Sequence, residues 1–176
     1  MRINLKLFEP LLILFLCAII VNAAGQNDAP VEKSREVLKQ NEERDERIVK
    51  SAAKQIYRQA IDLFEEGSYW KCCRELIILM DFYAEFEEMD GVIYHIAECL
   101  YEEELNEAAV KMYKYLLQNH QDSKYYQKAL YGIEKVNYRA ERFKETLTVY
   151  YQILKVVDDK EILNAARYFA AQSHYY

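Results

Sequence analysis

"VIYHIAECLYEEEL", Val92 to Leu105, places Tyr94 and Tyr101 seven residues apart. Seven residues span about two helical turns, so both rings fall on one face of a helix. Ile93, Ile96, Ala97 and Leu100 accompany them at spacings of three, four and seven, the apolar rhythm of an amphipathic helix. The composition agrees with a helical reading. The chain has 176 residues, 52% of them hydrophobic, yet only four Gly and two Pro. Strand-rich domains need many tight turns, and those turns draw on Gly and Pro.

Outward from this stretch the chain repeats. Displaced by 37 residues, it aligns with itself from residue 53 onward without gaps. Tyr57, Tyr94, Tyr131 and Tyr168 coincide, as do Phe64, Tyr101, Tyr138 and Tyr175. Ala60, Ala97, Glu134 and Ala171 occupy one position, with Glu134 the exception in size and charge. Cys72, Ala109 and Thr146 share another, followed by Leu76, Tyr113 and Tyr150, then Leu79, Leu116 and Ile153. Short polar breaks, "EEGSY", "EEELN" and "AERFK", divide each unit into two helices, and Gly67 suits a helix end that needs a left-handed residue. One such hairpin cannot bury its own apolar face, so neighbours must stack. Residues 51–176 then form three hairpins and an unpaired last helix.

The unit resembles the tetratricopeptide repeat. The matching residues are Ala60, Leu63, Gly67, Tyr69, Cys72 and Leu76 in the first unit, and Ala97, Leu100, Ala109, Tyr113 and Leu116 in the second. Phe143, Thr146, Tyr150 and Ile153 match in the third. The chain departs from the family's period of about 34. It has Ala84, Gln121 and Asp158 where a proline is usual, and Glu134 and Asn137 where a small residue and an aromatic are usual. The resemblance implies an all-α fold, a right-handed superhelical stack of antiparallel helix hairpins. It places Tyr57, Phe64, Tyr94, Tyr101, Tyr131, Tyr138, Tyr168 and Tyr175 on a concave inner surface. Tyrosine combines a broad apolar face with a polar tip and suits protein contact. The alternative is packing alone, each ring against the next first helix. The family's mode of gripping a C-terminal carboxylate uses Lys and Asn where this chain has Tyr57 and Ile61, which argues against that mode.

The first 25 residues read as a targeting segment. Arg2 and Lys6 precede an unbroken apolar run, Leu11 to Val21, and small residues Ala23, Ala24 and Gly25 follow. The run is short for a membrane span of about 20 residues. A signal cleaved near Ala23 is the favoured reading and a retained anchor the alternative. Either implies an exported chain, periplasmic or envelope-associated, and the whole is similar to the envelope repeat proteins of bacteria. Residues 26–50 are charged and poor in aromatics, a linker or a solvated helix. Removing Arg2, Lys6 and Glu9 from 23 basic and 29 acidic residues leaves 21 against 28, a net charge of −7. Nucleic acid is a poor partner for that balance, because phosphate contacts need concentrated Lys and Arg.

Nothing in the sequence points to catalysis. No phosphate loop, zincin motif or nucleophile elbow occurs. His95 and Cys99 lie four apart, but two ligands do not make a zinc site. Cys72, Cys73 and Cys99 form no even framework, although a bond from Cys99 to either neighbour is open in an oxidising compartment. The expectation is a scaffold that binds a protein or peptide, with no enzyme activity, cofactor or metal. The alternative is a structural module, or part of a longer array, joining through "ARYFAAQSHYY" as a homo-oligomer or within a larger envelope complex.

Overall fold

The structure, a computed structural model, describes residues 28–175. The expected targeting segment, residues 1–25, lies outside the described residues, as does Tyr176. Among the described residues there are seven α-helices and no strand. They are α1 (Asp28–Glu65), α2 (Tyr69–Phe82), α3 (Met89–Glu102), α4 (Asn106–Asn119), α5 (Tyr126–Arg139), α6 (Phe143–Val156) and α7 (Lys160–Ser173). None of them is long and apolar enough to cross a membrane.

The chain divides into two units, one ending at Ile48 and one beginning at Val49. In the first, residues 32–48 are helical and exposed throughout, including Val37, Leu38 and Ile48. The second contains the core. Each of α2 to α6 packs on the helix that follows it, and α5 also meets α7. Ala53, Tyr57 and Ala60 of α1 bury against Cys72, Leu76 and Leu79 of α2. Ala97 of α3 buries with Ala109, Tyr113 and Leu116 of α4. Leu130 of α5 buries with Ile153 of α6 and Ala166 of α7. Small residues at these positions let helix backbones approach.

The helices keep the 37-residue step seen in the sequence. α2, α4 and α6 start at residues 69, 106 and 143, and α3 and α5 at 89 and 126. The turns explain why. Gly67, Glu104 and Glu141 occupy one repeat position, and all three have positive φ, at 74°, 61° and 57°. In each turn the next residue's N–H reaches back five residues. Ser68 bonds to the Leu63 carbonyl, Leu105 to Leu100 and Arg142 to Asn137. This is the Schellman arrangement, which closes a helix with one left-handed residue. Glycine adopts it without strain, whereas each glutamate carries a cost of about 1–2 kcal/mol.

The last junction differs. Asp159 accepts from the backbone N–H groups of Glu161 and Ile162, and this N-cap starts α7 one turn early. The register of the buried face is nonetheless preserved. Ala166, Ala170 and Ser173 are buried, as Ala129, Ile133 and Val136 are 37 residues before. On the neighbouring side, Leu130, Glu134 and Asn137 are buried in α5, while Arg167 and Ala171 of α7 and His174 just past its end are exposed. α6 follows α5, and no helix follows α7 among the described residues.

Candidate functional site: the aromatic face of the first helices

The aromatic residues of α1, α3, α5 and α7 do not form one ladder. They gather into two ring clusters separated by a cationic seam. His95 of α3 is the hub of the first cluster. Its ring lies 6.2 Å from Tyr57, 5.5 Å from Phe64, 5.3 Å from Tyr94 and 5.7 Å from Tyr125. Tyr94 stacks on Tyr125 at 4.7 Å with the planes 17° apart. His95 Nδ1–H donates to the Gly91 carbonyl at 2.7 Å, and the Tyr57 hydroxyl lies 3.4 Å from the same nitrogen. Burial holds the His95 pKa below the ordinary histidine value, against the pull of the Gly91 carbonyl. The imidazole is therefore a neutral packing element.

Phe169 of α7 is the hub of the second cluster. Its ring is 6.0 Å from Tyr131, 4.9 Å from Tyr138 and 5.6 Å from Tyr168. His95 and Phe169 occupy one repeat position, which also holds Arg58 and Gly132. Gly132 is required there, because an added Cβ would lie 2.5 Å from the Tyr113 ring. Gly91 is required for the same reason against the Tyr57 hydroxyl.

Between the clusters stands Tyr101, covered by cations rather than rings. Lys135 Nζ sits 4.5 Å from its centroid and the Arg139 guanidinium 3.5 Å from it. Arg139 also donates to the Tyr101 carbonyl and to Asn106 Oδ1. Lys135 pairs with Glu98 at 3.2 Å, and Tyr113 donates to the same carboxylate at 2.5 Å. Burial, then the neighbouring Glu98, raises the Tyr113 and Tyr94 phenol pKa values, so both hydroxyls stay protonated. Lys124 and Lys128 lie over the Tyr125 ring at 5.1 and 5.9 Å, and neither has an ion-pair partner among the described residues. The seam thus follows α5, with Lys128, Lys135 and Arg139 between the tyrosines.

The eight aromatics from the sequence fall into three groups. Tyr57 is buried, 8% exposed, and offers no surface. Phe64, Tyr94, Tyr101, Tyr131 and Tyr138 are half-buried, each with one ring face or edge supported by the clusters or cations above. Tyr168 and Tyr175 are 60% and 92% exposed. The sequence reading missed Tyr125, His95 as a ring hub, Phe169, and the Tyr113–Glu98–Lys135 group. Tyr125 carried no signal, because its repeat equivalents are Glu88 and Ile162.

The remaining candidate residues are His95 with Cys99, the three cysteines of the helical unit and Glu134. No group of three or more metal-ligating side chains occurs among the described residues, so His95 and Cys99 gain no third ligand there. Cys72, Cys73 and Cys99 are buried free thiols. The neighbouring Cys72 thiol, together with burial, pushes the Cys99 thiol up in pKa. Glu134 is fully buried, and neither carboxylate oxygen has a hydrogen-bond partner. Burial alone raises its pKa to about 8. No protein-family model matches the chain, and neither does any curated protein.

Proposed function

We propose that the chain is a tetratricopeptide-like, right-handed α-solenoid, exported to a bacterial envelope. In this reading it is a non-catalytic scaffold that binds a partner protein or peptide. The binding surface is the concave side formed by α3, α5 and α7, with Tyr94, Tyr101, Tyr131 and Tyr138 as its contact residues. One observation carries the proposal: four half-buried tyrosines of α3 and α5 share those helices with the cationic row Lys128, Lys135 and Arg139, with their rings already fixed by neighbours. A surface fixed before binding loses little side-chain entropy on complex formation. Tyrosine and arginine are also the residue types that dominate binding energy at protein interfaces.

The test is a displayed-peptide selection on the immobilised chain, followed by affinity measurement on the winning sequence. Tyr131→Ala is expected to weaken binding about tenfold or more, with the thermal midpoint held within a few degrees. No enriched peptide, or affinity unchanged in Tyr131→Ala, would overturn the reading.

A further inference from the structure

Charge changes sign between two neighbouring units. Lys124, Lys128, Lys135 and Arg139 stand one 37-residue step after Glu87, Gly91, Glu98 and Glu102. The third unit is therefore basic where the second is acidic, in a chain whose net charge is −6. Pairing between adjacent helices accounts for half of the basic set. Lys135 bonds to Glu98 at 3.2 Å, and Arg139 donates to the Tyr101 carbonyl and to Asn106 Oδ1.

Lys124 and Lys128 are left over. Glu87 is already taken by Lys54, at 3.1 Å. Two units on, the same pairing would join Lys128 to Glu161. Glu161 instead stands in the first turn of the early-starting α7, and no ion pair joins the two among the described residues. Both lysines are exposed, with their ammonium groups 5.1 and 5.9 Å from the Tyr125 ring centroid. Two like charges gathered at one ring repel each other. An anion that reaches both turns this repulsion into attraction. The ring itself is already held in place by its stack on Tyr94.

We propose that the partner of the first-helix face is an acidic peptide, with an aspartate or glutamate carboxylate bound by Lys124 and Lys128 beside the Tyr94–Tyr125 stack. This rests on the reading of that face as a protein-binding surface and names the chemistry it selects. An ammonium group has donors and no acceptor, and an ionised carboxylate has acceptors and no donor, so the two match. Charge-assisted hydrogen bonds of this kind are about twice as strong as neutral ones. A nucleic acid fits less well, because its affinity comes from many phosphate contacts in series, and this site offers two unpaired cations in an acidic chain.

The full chain would be used to select from an unbiased displayed-peptide library, and enrichment of Asp and Glu among the winners is expected. The winning peptide would be compared by fluorescence anisotropy with a counterpart in which Asn and Gln replace every Asp and Glu. The counterpart should bind about tenfold more weakly, and the affinity of the acidic peptide should fall between about 50 and about 300 mM salt. Lys124→Glu combined with Lys128→Glu should weaken the acidic peptide about tenfold or more. The thermal midpoint of that variant should hold or rise, since the two lysines repel each other and pair with no acid in the chain. Winners free of acidic residues and still lost in Tyr131→Ala would overturn the charge assignment and leave the binding face standing. A counterpart that binds equally, affinity unchanged in the double variant, or equal binding of a labelled single-stranded oligonucleotide would overturn it as well. A library that yields no enriched peptide would overturn both readings.

Discussion

The first-helix face and the second-helix face are built from the same repeat, yet they treat their aromatic residues in opposite ways. On the first, the rings of α3 and α5 are pinned, while Tyr168 of α7 stays exposed: Tyr94 lies against Tyr125, Tyr101 lies under Arg139, and Tyr138 meets Phe169. On the second, Trp70 and Tyr115 stand out with more than a third of their surface in solvent. The difference shows that aromatic content alone does not define a binding surface. Pinned rings hold the helices together and present what remains of their faces. Unpinned rings, about half or more of whose surface stays in solvent, add little to the stability of the isolated chain.

That contrast has measurable consequences. The largest expected effect is on the pinned side. Tyr94→Ala removes a ring stacked on Tyr125 and packed against His95 and Tyr113, and should lower stability by about 3 kcal/mol in urea denaturation. Trp70→Ala should change stability by less than about 0.5 kcal/mol. Equal losses at the two positions would break the distinction between the faces.

Next comes Glu134, where the third unit departs from the first two. It stands where Ala60 and Ala97 pack in the other units, fully buried and without a partner. Its pKa is raised from 4.5 to about 8 on folding. Below pH 4.5 both states hold the proton, so stability from this source is constant. Between pH 4.5 and about 8 the folded chain keeps a proton that the unfolded chain has released. Stability therefore falls as pH rises, by up to about 1.4 kcal/mol per unit, and levels off above that window. Glu134→Ala should remove this slope and stabilise the chain at pH 8 by about 2 kcal/mol or more. A wild-type profile that is flat or rising across the window would contradict the burial of this carboxyl.

Smaller effects follow. Tyr113→Phe deletes the hydroxyl that donates to the buried Glu98 carboxylate, and should cost about 1–2 kcal/mol by thermal or chemical unfolding. Glu104→Gly relieves a left-handed glutamate at the position Gly67 holds in the first unit. It should raise stability by about 0.5–1 kcal/mol, since a glycine there gives up some unfolded-chain entropy in exchange for the relieved strain.

How much of this was legible in the sequence follows from what each feature depends on. The helices and the 37-residue step were legible, because apolar spacing and repeat self-similarity record local geometry directly. The left-handed turn residue was legible only at Gly67. Glu104 and Glu141 adopt the same conformation because the flanking helices impose it, and glutamate advertises nothing of the kind. Of the candidate site, the tyrosines were visible as a periodic set, but not their partners. Tyr125 lies at the α4–α5 junction, outside the repeat pattern, and its stacking on Tyr94 is a tertiary event. The covering of Tyr101 by Lys135 and Arg139 joins α3 to α5 across more than 30 residues of sequence. Tyr57 illustrates the reverse error: periodicity set it beside Tyr94 and Tyr131, but Phe86 and His95 close over it.

The assignment of partner binding to the first-helix face is tested most directly by site-specific photo-crosslinking. p-Benzoylphenylalanine would replace Tyr131 in one sample and the exposed Ile77 of α2 in another, each irradiated with the selected peptide. Position 131 is expected to capture the peptide and position 77 to leave it free. Peptide captured equally from both positions, or from position 77 alone, would contradict it.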